Sequence, residues 1–112
     1  AAMLAGEALD GVGLYFEKEV YSLFSNGLAA AVLEVLVARL GGAAEVMFDV
    51  IGYCTGGYCV DAAVEGLRAR GYQVTVLAGA CAAIGGDEGM ETSRVNLREQ
   101  GALWSDEVSV AE

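Results

Sequence analysis

Histidine and proline are both missing from this 112-residue chain, and basic side chains are few. Without histidine there is no imidazole to take a proton, which excludes a Ser-His-Asp or Cys-His nucleophile within the chain. The same absence leaves Cys54 and Cys59, five apart, without other soft ligands nearby, so neither a zinc site nor any other metal is expected. No cofactor is expected either. Without proline there is no rigid linker and no boundary signal, and residues 1–112 read as one domain. Six Lys and Arg stand against 16 Asp and Glu, a net charge of −10. Such a field repels phosphate backbones and anionic lipids, so neither nucleic acid nor a membrane is an expected partner.

Long apolar runs are missing as well. The longest, LAAAVLEVLVARL from Leu28, carries Glu34 and Arg39 and repeats with helical period, which suits a core helix rather than a bilayer span. The opening AAMLAGEALDG lacks the basic segment of a secretory signal, and three cysteines are an odd number. Together these read as reduced thiols in a cytoplasm. What the chain has in quantity is apolar side chain, 55% by composition, enough for a packed interior.

The pattern alternates helix and strand. Val12–Phe16 is a short β-prone run, and Lys18–Phe24 a transition of mixed polarity. Asn26 is a fitting N-cap for a helix from about Gly27 to Leu40, with Leu28, Val32, Leu36 and Leu40 in one stripe and Gly41 at its end. EVMFDVIG, from Glu45, is a continuous apolar run suited to a buried strand. A helix from about Tyr58 to Arg70 follows, with Val60, Ala63, Val64 and Leu67 spaced for one face and Gly71 closing it. Gln73–Ala78 is a second buried strand, and a small-residue loop through Gly86 leads to a helix from Asp87 to about Gln100. Ala102–Trp104 is a candidate last strand. Units of about thirty residues joined by short loops indicate βαβ crossovers and a parallel sheet, an α/β fold whose ligands bind beyond the carboxyl ends of the strands.

That edge falls on Ile51-Gly-Tyr-Cys-Thr-Gly-Gly-Tyr-Cys59-Val60, an apolar strand running through a glycine-rich turn into a helix. The first turn of a helix has backbone N–H groups without intrahelical partners and about half a positive charge from the macrodipole. A thiol there ionises more readily, and the same N–H groups can receive an oxyanion. Cys59 is the candidate nucleophile. Cys54 and Cys81 read as core residues, and Tyr53, Tyr58, Phe24 and Trp104 as aromatics that either line a pocket or fill the core.

The order of these pieces resembles the isochorismatase-like cysteine hydrolases, a family that includes nicotinamidases and N-carbamoylsarcosine amidases. The matching text is Lys18-Glu-Val-Tyr-Ser-Leu-Phe24, then Gly52-Tyr-Cys-Thr-Gly-Gly-Tyr-Cys59-Val60, then Gly71-Tyr-Gln-Val-Thr-Val76 and Ala78-Gly-Ala-Cys-Ala-Ala83. The resemblance implies a truncated, Rossmann-like three-layer α/β/α fold with about four mainly parallel strands. It implies hydrolysis of a small amide by Cys59, with Lys18 supporting the charges and the Tyr58 and Cys59 N–H groups forming the oxyanion hole. Thr55, Gly56 and Gly57 fall where substrate is bound.

The sequence departs from the family at definite places. The family's general-base aspartate, on its first strand, has no counterpart here, and Asp10 falls at a non-catalytic turn. One extra residue separates Thr55 from Cys59, Gly56-Gly57 replaces the usual acidic or amide residue, and Ala78-Gly79 stands where an aspartate is usual. The alternative is therefore a catalytically silent descendant serving as a binding or structural module. Under either reading the sheet edge exposed by a missing first strand implies a homo-oligomer. Gly52-x-Cys54-x-Gly56-Gly57 also resembles the nucleophile elbow of dienelactone hydrolases, whose mechanism needs a histidine that this chain lacks.

Overall fold

The computed structural model describes residues 1–17, 22–55, 59–83 and 85–105, with the backbone alone at 53–55. Helix α1 spans Ala2–Leu9 and α2 Gly27–Arg39. Strand β1 spans Met47–Thr55, helix α3 Cys59–Ala69, strand β2 Gln73–Ala83, helix α4 Gly86–Glu99 and strand β3 Leu103–Ser105. Short 3₁₀ turns at Leu23–Ser25 and Ala43–Glu45 precede α2 and β1.

The sheet is three-stranded and wholly parallel, in the order β1-β2-β3. The chain is thus an α/β protein. Right-handed crossovers between successive neighbouring strands bring their helices onto the same face. There Val60, Val64 and Leu67 of α3 and Leu97 of α4 join Val74 and Val76 of β2, with Val37 of α2, Tyr72 and Ala102 completing the core. Phe48 stacks on Tyr72 with ring centroids 5.3 Å apart.

Among the described residues the opposite face has no comparable cover. Met47 and Ile51 of β1 and Leu103 of β3 are 43%, 60% and 58% exposed. The second helical layer expected there does not occur among the described residues. The amino end of this face is tied down by Gln73, whose Nε2 donates to the carbonyls of Ala43, Ala44 and Val46 at 2.9–3.3 Å.

The described residues hold three strands rather than about four, because Val12–Phe16 is irregular chain. Val12 instead donates its N–H to the Glu7 carbonyl at the end of α1, at 3.0 Å, and without a neighbouring strand propensity alone does not make a strand. The buried stripe of α2 is also rotated from the expected one. Ala29, Val32 and Val37 are buried, whereas Leu28 and Leu40 are about half exposed. Val37 joins the core beneath the sheet, and α1 packs on α2 with its Ala5 completely buried. Small residues let the two helices approach where leucines would hold them apart.

Candidate functional site

Because all three strands run parallel, their carboxyl ends share one edge of the sheet. Strand β1 ends there at Thr55, and α3 begins four residues on, at Cys59. The backbone N–H groups of that first helical turn point toward the same edge. Cys59 is half-buried, so its thiol stands at the boundary of core and solvent.

The seat of this turn is Gly52. Its φ is +150°, a value L side chains rarely adopt, and an added Cβ would lie 3.4 Å from Val60 Cγ2. The first turn of α3 thus rests close against β1. Opposite Gly52 in the ladder is Cys81, after a register break in which Val50 pairs with Val76 but Gly52 with Cys81. The additional β2 residues form a local irregularity of the kind that re-aims side chains beside functional edges. Cys81 Sγ lies 4.0 Å from the Val50 carbonyl. Burial pushes the Cys81 thiol up from its ordinary range, and the Asp61 carboxylate adds to this, while a hydrogen bond with the Gly52 backbone opposes it. Cys81 is therefore held as a thiol.

Two polar residues that the sequence did not single out complete the neighbourhood. Asp61, in the first turn of α3, is 5% exposed, and Ser93 of α4 is fully buried. Ser93 Oγ lies 3.1 and 3.0 Å from the two Asp61 oxygens and donates to them, linking the helices across the core. An acid at the third position of a helix is also favourably placed against the macrodipole. No motif announced the pair. The available signal was Asp61 at an otherwise apolar helix start, with Ser93 one helix later on the inward side.

The expected site residues fare differently. Cys59 stands at the helix start, as the sequence suggested, and the backbone of Thr55 closes β1. Lys18, Gly56, Gly57 and Tyr58 lie outside the described residues. Cys81 does pack against the core, as expected, but at the same sheet edge as Cys59. Cys54, near the end of β1, belongs to that edge by its backbone position. All three cysteines thus gather at the carboxyl end of the sheet. Among the described residues no three Cys, Asp or Glu side chains form a group that could hold a metal ion.

The chain matches no protein-family model, and neither the curated proteins nor the solved structures contain a significant match to it.

Proposed function

We propose that the chain is an isochorismatase-like, Rossmann-like cysteine hydrolase of small amides, with Cys59 as nucleophile. The observation that carries this reading is Cys59 as the opening residue of α3, directly beyond the carboxyl end of β1. The thiolate attacks the amide carbonyl, the C–N bond breaks, and the amine departs with a proton. Water then hydrolyses the thioester, releasing the acid and restoring the thiol. The N–H groups of Tyr58 and Cys59 receive the oxyanion, Thr55, Gly56 and Gly57 hold the substrate, and Lys18 stabilises the thiolate. A carboxylate supplied from outside this sequence acts as general base.

The uncovered sheet face favours a second reading, a catalytically silent descendant that associates with its own kind through Met47, Ile51 and Leu103. One experiment separates the two. Ammonia release from nicotinamide and N-carbamoylsarcosine is followed with the wild-type chain and Cys59→Ala, alongside sedimentation analysis. Release that Cys59→Ala abolishes supports the hydrolase. A dimer that releases no ammonia, and whose Cys59 is alkylated by iodoacetamide no faster than Cys81, supports the silent module.

A further inference from the structure

At the other end of α3 a cleft of about 510 Å³ opens between α2 and the turn that follows α3. Its volume falls within the range of roughly 300–1,000 Å³ usual for small-molecule sites. Glu34, Ala30, Ala31 and Gly27 of α2 form one wall, and Arg70 and Tyr72 the other. Arg70 is braced in place. Its guanidinium lies 3.8 Å from the centroid of the Phe24 ring, and its Nη1 donates to the Gly66 carbonyl at 3.2 Å. A planar guanidinium held this way keeps further N–H donors for a carboxylate.

Glu34 faces the same cleft, yet no ion pair joins it to Arg70. Among the described residues the only ion pair is that of Arg94 with Glu91. The start of α2 does not compete for an anion, because Asn26 Oδ1 already accepts from the Leu28 and Ala29 N–H groups at 3.0 and 3.3 Å. One fixed cation and one separate carboxylate therefore share a cavity. A simple anion would meet Glu34 and the net charge of −10, and a simple cation would meet Arg70.

We infer that this cleft binds a short zwitterionic peptide, its carboxylate on Arg70 and its ammonium on Glu34. The site is distinct from the thiol edge, since the 11 residues of α3 separate the two by about 16 Å at 1.5 Å per residue. It does not depend on Cys59 chemistry.

Calorimetric titration with Ala-Ala and Ala-Ala-Ala tests it, with N-acetyl-Ala-Ala and Ala-Ala-amide as blocked controls. Saturable binding of at least one free peptide is expected in the micromolar to millimolar range, weakened tenfold or more by either block. Glu34→Gln, a change at an exposed side chain, weakens the free peptide tenfold but leaves the N-acetylated peptide unchanged. Ala31→Phe, which fills the cleft without altering charge, abolishes binding while the circular dichroism spectrum stays native. Absence of saturable binding by both free peptides overturns the inference. So does equal binding of the blocked forms.

Discussion

Cys59 and Cys81 lie at one edge of the sheet but in different surroundings. Cys59 opens α3 and is half-buried, just beyond the carboxyl end of β1. Cys81 sits under the first turn of α3, where burial and the Asp61 charge keep its proton on. Asp61 itself is held by Ser93, and a hydrogen bond to a charged group contributes more than a neutral one. Ser93→Ala removes that donor from a buried carboxylate. It should lower stability by about 1–3 kcal/mol, read as a lower urea midpoint at unchanged slope. An unchanged midpoint would mean that the other contacts of Asp61 suffice. Neither Asp61 nor Ser93 was legible in the sequence, because burial of a polar pair across two helices depends on packing that no local spacing encodes. The position of Cys59 at a helix start was legible, because the apolar strand before it and the helical spacing after it are local signals.

Among the elements, α3 was read nearly to the residue, since Val60, Val64 and Leu67 repeat at helical spacing and Gly71, with φ +78°, ends the turn that follows it. Strand β2 runs five residues further than expected, through Gly79-Ala-Cys-Ala-Ala83. Small residues suggest a loop, but here they continue the ladder with β1 past the register break. Helix α1 gave no decisive periodicity, and its burial against α2 is a tertiary fact. Inside α3, Gly66 carries a prediction of sign. A glycine in mid-helix is worse than alanine by about 1 kcal/mol, so Gly66→Ala would ordinarily stabilise. Its added Cβ, however, would fall 2.2 Å from Phe24 Cδ2 and 2.6 Å from Cε2. Phe24 lies under Arg70 and packs against the core, so the ring has little room to yield. Overpacking of this kind costs about 1–3 kcal/mol, and Gly66→Ala should lower the melting temperature. A rise would show that Phe24 moves aside freely.

For the molecule as a whole, the α/β class followed from the alternation of elements, while the layering did not. Hydrophobic pattern marks β1 as apolar on both faces but does not say what covers each one. In the structure α3 and α4 pack on one face, and Met47, Ile51 and Leu103 remain exposed on the other. No described helix is long and apolar enough to cross a membrane. The parallel sheet has a second consequence. It sets one chemical edge, holding the three cysteines, apart from the opposite end, where Arg70 and Glu34 face their cleft. The central claim is that this first edge presents a nucleophile. It is tested most directly by site-resolved iodoacetamide alkylation from pH 6 to 9, read by mass spectrometry. Cys81, its proton retained by burial, should react slowly until the pH is well into the alkaline range. Cys59 should react at least tenfold faster than Cys81 at pH 7, and Lys18→Ala should reduce that advantage. A Cys59 that reacts no faster than Cys81 across the range would contradict the claim.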